Sequence, residues 1–157
     1  MNSKLAVQSL VDQGVEFVIV GGWSAILHGS SFPTDDLDIC YSRSTTNLKN
    51  IARALAPFRP RLRGLPEDLP FVWDEVTLRN GSLFTLSSDL GAIDLLAQVD
   101  GVGGFDEVKK YSTVVNAFDR SVSILDLGAL IRAKRAAGRE KDLRILPELE
   151  SLLEAQE

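Results

Sequence analysis

Aspartates occupy alternate positions of a short apolar run in the first third of the chain. In DDLDICY, Asp36 and Asp38 alternate with Leu37 and Ile39, which is the period-2 pattern of a β-strand with one polar face. Residues two apart on a strand project from the same face about 7 Å apart, so both carboxylates can converge on one site. Two such carboxylates repel each other and are costly to desolvate, which predicts a cation between them.

A third carboxylate is available in a later apolar run. Asp94 interrupts AIDLLAQV, and an aspartate inside a buried strand needs compensation for its charge. If this strand lies beside the first, Asp94 completes a cluster of three acids with Asp36 and Asp38. Such oxygen ligands suit Mg²⁺, which is commonly bound by one or two carboxylates together with substrate phosphates. The alternative for these acids is a solvated strand face or a structural hydrogen bond.

Residues of two other kinds could receive phosphate. Gly21 and Gly22 follow the apolar run EFVIV and precede a short helix, so they allow close approach of an anion to unpaired N–H groups. Ser24 either contacts a phosphate or only occupies the first helical turn. Lys134 and Lys141 are the best candidates of a basic set at a helix break that could steer a triphosphate, with a solvated face as the alternative.

The elements that must hold these residues follow from periodicity and from turn residues. The order helix, strand, helix, strand, helix, then mostly strands, then helices predicts an α/β fold with a mixed sheet flanked by helices. We expect a helix capped by Thr45 or Thr46, a loop over 57–70, and a hairpin formed by SLFTL and AIDLLAQV. Two closing helices are predicted over about 127–137 and about 141–155.

Composition narrows the classes of function. A length of 157 residues predicts one domain over 1–157, with the closing helices packed on the same core. Cys40 and His28 are the only residues of their types, which excludes an internal disulfide and a cysteine-rich zinc site. A net charge of -5 argues against a broad surface for duplex DNA. No apolar run reaches the roughly 18 residues of a membrane span and no signal peptide is evident, so we expect a cytoplasmic protein.

The glycine pair and the acids together resemble the core motif of the polymerase-β-like nucleotidyltransferases. That motif is an apolar residue, Gly, Gly or Ser, a gap, then Asp-apolar-Asp-apolar, with a third acid on a later strand. The likeness to the small bacterial nucleotidyltransferases of the AbiEii kind covers most of the chain, including HGSSFPTDDLDI, LRNGSLFTLSSDLGAIDLL and LIRAKRAAGREKDLRILPEL.

The resemblance implies transfer of a nucleoside monophosphate from an NTP to a hydroxyl, with Mg²⁺ or Mn²⁺ held by Asp36, Asp38 and Asp94. It also implies an acceptor that is tRNA, a partner protein or a small molecule, and a place in a toxin-antitoxin or phage-defence pair. Phe32 departs from the pattern, because such proteins usually carry arginine there. This departure motivates the alternative of a nucleotide-binding module that kept the fold and lost turnover.

Overall fold

A mixed seven-stranded β-sheet forms the centre of the molecule in the computed structural model, which describes residues 1–157. The strand order across this sheet is β3-β4-β5-β2-β1-β9-β8, and β6 and β7 form a separate two-stranded ribbon. The predicted mixed sheet flanked by helices is therefore confirmed. The strands are β1 (Phe17–Val20), β2 (Asp36–Tyr41), β3 (Arg61–Leu62), β4 (Leu83–Ser88), β5 (Gly91–Leu96), β6 (Gln98–Val99), β7 (Gly103–Gly104), β8 (Ser112–Ala117) and β9 (Arg120–Leu125).

Seven α-helices connect and cover the strands. None of them combines the length and the apolar character that a membrane span requires. A 3₁₀ turn, Ala56–Phe58, follows the third helix. The helices are α1 (Ser3–Asp12), α2 (Gly21–Leu27), α3 (Thr45–Leu55), α4 (Glu75–Arg79), α5 (Phe105–Lys110), α6 (Leu127–Ala137) and α7 (Glu140–Gln156).

The central strands set the register of the acidic residues. Strand β2 pairs in parallel with β5, and Asp38 lies opposite Asp94. On its other side β2 pairs antiparallel with β1, where Val20 lies opposite Asp38. The C-terminal end of β1, which leads into the glycine pair, is thus next to the acidic residues of β2. Because side chains alternate along a strand, Leu37 and Ile39 enter the core on the opposite face, where both are fully buried.

Each face of the sheet carries its own apolar core. Ile19 and Ile39 pack with residues of α1 and α3, including Leu10 and Ile51, on one face. On the other face, Val18, Val20 and Cys40 pack with residues of α6 and α7, including Leu130 and Leu149. The acidic positions belong to this second face. The helices α6 and α7 therefore lie beside the carboxylates, although they are about ninety residues or more from Asp36 and Asp38 in sequence.

The helix starts differ from two sequence predictions. Ser44, not Thr45 or Thr46, caps α3, because Ser44 has an extended backbone and its hydroxyl accepts a hydrogen bond from the N–H of Asn47. Thr45 is already the first helical residue. Helix α2 begins at Gly21, earlier than the run WSAILHG suggested, because the glycine pair itself takes part in the first turn.

Short elements also escaped the sequence patterns. The stretch 57–70, predicted as a loop, contains β3, which pairs with β4 at the edge of the sheet. Helix α4 is capped by Asp74 and spans only five residues, too few to show a helical period. Strand β7 is formed by two glycines, which have no side chains to show a strand pattern, and it pairs with β6 through the backbone. The hairpin of β4 and β5 is confirmed.

Asn47 ties the strands that carry the site. Its side-chain oxygen accepts from the N–H of Glu16 at 2.7 Å, and its amide nitrogen donates to the carbonyls of Glu16 at 3.0 Å and Ser42 at 2.7 Å. Glu16 precedes β1 and Ser42 follows β2, so one buried amide joins the two strands. Because it is costly to leave these buried backbone groups unpaired, we expect Asn47 to contribute more to the stability of the fold than a surface asparagine does.

We expect Asn47→Ala to lower the free energy of unfolding by about 2–3 kcal/mol, because buried polar groups lose their partners. Asn50→Ala is the matched control on the same helix, since Asn50 is only half-buried and its side chain makes two long bonds, donating to the carbonyl of Gly14 at 3.5 Å and accepting from Arg53 Nη1 at 3.3 Å. Urea unfolding of both variants measures the difference. Equal losses in the two variants would show that the buried amide does not hold the strands.

Candidate active site

Three carboxylates converge on the face of the central strands that α6 and α7 cover. Asp36, Asp38 and Asp94 each offer an oxygen, and these oxygens lie within 4.8 Å of one another. The parallel pairing of β2 with β5 produces this cluster, because it sets Asp38 opposite Asp94 with Asp36 one pleat away on the same face. The predicted cluster of three acids is confirmed as geometry, while the chemical roles of its members stay predictions.

Asp38 is the member of the cluster whose ionised form is disfavoured most by its surroundings. Burial and the neighbouring charges of Asp94 and Asp36 raise the pKa of Asp38 from 3.8 to about 7. One of its carboxylate oxygens, Oδ1, is buried and has no hydrogen-bond partner. A buried oxygen without a partner, inside a set of three oxygen donors, is what a hard divalent cation would satisfy. The residues present therefore fit a Mg²⁺ or Mn²⁺ ion.

The glycine pair lies directly against the acids. Gly21 has a left-handed φ of 65°, and a Cβ at this position would collide with the carboxylate of Asp38. A Cβ at Gly22 would lie 2.5 Å from the side-chain oxygen of Thr34. The sequence predicted that glycine is needed here for the close approach of a phosphate, and this stays a prediction, because the neighbours that come close in the structure are the side chains of Asp38 and Thr34.

A buried acid organises the basic side of the site. Asp142, at the start of α7, is fully buried, and its carboxylate accepts from Arg139 Nε at 2.6 Å and lies 3.3 Å from Lys134 Nζ. Burial alone would raise the pKa of Asp142, but the hydrogen bond from Arg139 and the charge of Lys134 outweigh it, so this pKa lies below its usual value. Two cations share one anion, which leaves one positive charge beside the carboxylate cluster.

Two cavities meet at Asp38, Lys134 and Arg139. The smaller, of about 190 Å³, is mostly polar, and its lining includes Gly22, Thr34, Asp36, Asp38, Lys134, Arg139, Lys141 and Arg144. The larger, of about 400 Å³, is half apolar, and its lining includes Leu83, Leu96, Val99, Leu130 and Ala133. The smaller cavity thus gathers four cations, and the larger one adds an apolar surface next to the three residues that both cavities share.

The other predicted site residues lie at different distances from this centre. Gly21 lines the larger cavity, and Gly22 and Lys141 line the polar one. Ser24 lines neither cavity, because its side chain is fully buried and its hydroxyl donates to the carbonyl of Gly21 at 2.7 Å. This contact matches the alternative in which Ser24 only occupies the first helical turn. Phe32 lines the polar cavity and packs against the core of α6 and α7.

Sequence reasoning did not select three residues that the structure brings to the site. Thr34 contacts the glycine pair, Asp142 holds Lys134 and Arg139, and Arg63 forms an ion pair of 2.7 Å with Asp94. Asp142 had only half of a signal, since an acid three residues after the N-cap is typical of a capping box but Arg139 stands where the motif has serine or threonine. Arg63 had none, because it lies 31 residues from Asp94 within a stretch that the sequence assigned to a loop.

The sheet, its flanking helices and their order define the nucleotidyltransferase fold, as comparison with solved structures shows. One similar structure is the lincosamide antibiotic adenylyltransferase LnuA with lincomycin bound, which has a TM-score of 0.63 and 16% identity over 97% of this chain and 98% of that one. Another is a provisionally assigned nucleotidyltransferase from Thermotoga maritima, with a TM-score of 0.57 and 16% identity over 95% of this chain and 89% of that one. No sequence-family model matches the chain, and a search of curated protein sequences finds no match.

The raised pKa of Asp38 predicts a pH-dependent stability in the absence of metal. Between the ordinary value of 3.8 and about 7, Asp38 binds more protons in the folded state than in the unfolded state, so the contribution of Asp38 to stability falls as pH rises through this window. We expect Asp38→Asn to remove this fall and to be more stable than wild type at about pH 8, by on the order of 4 kcal/mol. Near pH 4 the difference vanishes.

Denaturant unfolding of chelator-treated protein across this pH range measures the effect. Asp35→Asn is the matched control, because Asp35 is an exposed neighbour outside both cavities, and this variant keeps the wild-type pH dependence. A stability difference between wild type and Asp38→Asn that does not grow from pH 4 to pH 8 would contradict the buried, repelled state of Asp38.

Substitution of Gly21 tests the close approach to Asp38. Gly21→Ala and Gly64→Ala both place alanine at a positive φ, which costs about 1–2 kcal/mol. Gly64 has open space around it, so only Gly21→Ala also forces the Asp38 carboxylate aside, at a further cost of about 1–3 kcal/mol. Thermal or urea unfolding compares the two variants, and equal losses would mean that the Asp38 side chain moves away freely.

Proposed function

We propose that the protein is a divalent-metal-dependent nucleotidyltransferase that moves a nucleoside monophosphate from an NTP to an acceptor hydroxyl and releases pyrophosphate. One observation carries the proposal, namely three converging carboxylates, one with an unpartnered buried oxygen, beside a cavity rich in cations. The fold shared with nucleotidyltransferases supports it. Phosphoryl-type transfer needs little more from a protein than positioning and charge neutralisation.

The carboxylates have distinct tasks in this proposal. Asp36, Asp38 and Asp94 hold Mg²⁺ or Mn²⁺, which when bound supplies neutralisation of phosphate charge and alignment of the attacking and leaving oxygens. Asp94 takes the proton of the acceptor hydroxyl as its oxygen bonds to the α-phosphorus. The bond from the α-phosphorus to the bridging oxygen breaks, and that oxygen leaves with the pyrophosphate.

The polar cavity suits the β- and γ-phosphates of the NTP. Lys134, Arg139, Lys141 and Arg144 line it, and the absence of a side chain at Gly22 leaves room beside Thr34. Cations at this position stabilise the negative charge that builds up on the leaving pyrophosphate. Phe32 lines the same cavity where related sequences usually carry arginine, so these four cations supply the positive charge without it.

The half-apolar cavity suits the organic part of a substrate. Its volume of about 400 Å³ falls in the range of small-ligand sites. This favours a small-molecule acceptor over tRNA or a partner protein, in keeping with the similar fold of an antibiotic adenylyltransferase. Because the sequence resembles proteins of the AbiEii kind, we also propose that the protein acts within a toxin-antitoxin or defence pair. A supply of NTP places the reaction in the cytoplasm.

Incubation with each of the four NTPs, labelled at the α-phosphate, and Mg²⁺ or Mn²⁺ tests the proposal. Cell RNA, a protein fraction and a panel of small hydroxyl compounds are supplied as acceptors. We expect wild type to transfer label and Asp38→Asn to lose at least about a hundredfold in rate, since removal of several kcal/mol of charge stabilisation costs about tenfold per 1.4 kcal/mol. The fraction that carries the label identifies the class of acceptor.

Asp35→Asn serves as the control variant and keeps wild-type labelling, because Asp35 lies next to the cluster in sequence but outside both cavities. Equal labelling by wild type and Asp38→Asn would show that Asp38 has no role in the transfer. Calorimetry that detects binding of NTP with Mg²⁺, in the absence of any transfer, would favour a nucleotide-binding module of the same fold.

A further inference from the structure

Arg63 is held firmly at the edge of the carboxylate cluster. It follows β3, and its backbone N–H donates to the carbonyl of Thr85 at 2.8 Å. Its Nη2 donates to the carbonyl of Leu86 at 2.9 Å and to Asp94 Oδ1 at 2.7 Å. The Arg63 side chain is 37% exposed and that of Asp94 is 17% exposed, so this pair is partly shielded from solvent. Backbone and side-chain bonds together fix where the guanidinium lies.

The other cations near the cluster pair with an acid outside it. Lys134 and Arg139 both bond to Asp142, and only Arg63 makes an ion pair with a member of the cluster. The permanently charged guanidinium of Arg63 offsets the negative charge of Asp94 directly, whereas Asp36 and Asp38 have no ion-pair partner. Without Arg63, Asp94 would add its full negative charge to the cluster.

The contact also limits how Asp94 can bind metal. Asp94 Oδ1 accepts the hydrogen bond from Arg63, so this oxygen already faces a positive charge. A second divalent ion at Asp94 would lie close to the guanidinium, and two like charges in a partly shielded site repel each other strongly. The ion pair therefore disfavours a second ion and orients the carboxylate for a first one.

We propose that Arg63 takes the place of a second divalent ion at Asp94, so that the nucleotide-free protein binds one divalent ion at the three carboxylates. This inference rests on the proposed function, because it concerns the same carboxylates. Arg63 acts through Asp94 and is a positioning residue. Such a partner fixes the orientation of a metal-binding carboxylate and tunes its charge.

Titration of chelator-treated protein with Mn²⁺, with free Mn²⁺ followed by electron paramagnetic resonance, counts the bound ions. We expect one ion per chain for wild type and two for Arg63→Gln, because the glutamine leaves the cluster with its full negative charge. Arg63→Lys keeps a positive charge and binds one. Arg59→Gln is the matched control from the same stretch and also binds one, since Arg59 pairs with Asp89 at 2.9 Å outside the cluster.

The double variant Arg63→Gln with Asp94→Asn shows whether the second ion depends on Asp94, and we expect it to bind no more than one. Circular dichroism establishes that each variant is folded. Two ions in wild type, none in wild type, or one in folded Arg63→Gln would each overturn the role of Arg63. One ion in wild type and two in Arg63→Gln support this role even if no nucleotide transfer is found, so the two proposals fail separately.

Discussion

Mutual repulsion among Asp36, Asp38 and Asp94 is the constraint around which the rest of the site is arranged. Parallel pairing of two strands forces carboxylates from neighbouring rungs onto one face, where burial strengthens their interaction. A sheet that served only stability would place apolar residues there, as it does on the opposite face. The fold tolerates the repulsion among these carboxylates because its two apolar cores and the hydrogen bonds between strands keep the strands in register.

The positive charges around the cluster are positioned by separate parts of the chain. Arg63 comes from the edge of the sheet and contacts Asp94 directly. Lys134 and Arg139 come from the end of α6 and the start of α7, and they are held by a fully buried carboxylate that receives both. A buried anion between two cations holds both of them beside the polar cavity, where the proposed function needs positive charge.

Local sequence patterns were sufficient to predict the strands that carry the acidic residues. The alternation in DDLDICY predicted β2, and the hairpin of β4 and β5 followed from two apolar runs with a polar turn between them. Elements shorter than one period, such as β3 and α4, gave no such signal. The cap of α3 was misplaced by one residue, because Ser44 and the two threonines after it are all acceptable caps and only the backbone conformation selects one.

The sequence by itself determined which residues could do chemistry: two carboxylates at alternate positions, a later third, and a glycine pair before a helix. It could do so because side-chain direction along a strand and the backbone freedom of glycine are local properties. Only the tertiary structure decided that Asp94 faces Asp38, that Ser24 turns inward to its own helix, and that Arg63 and Asp142 complete the charge balance. These outcomes depend on strand order and helix packing between residues far apart in the chain, where electrostatic interactions are set by distance in space and not by spacing in sequence.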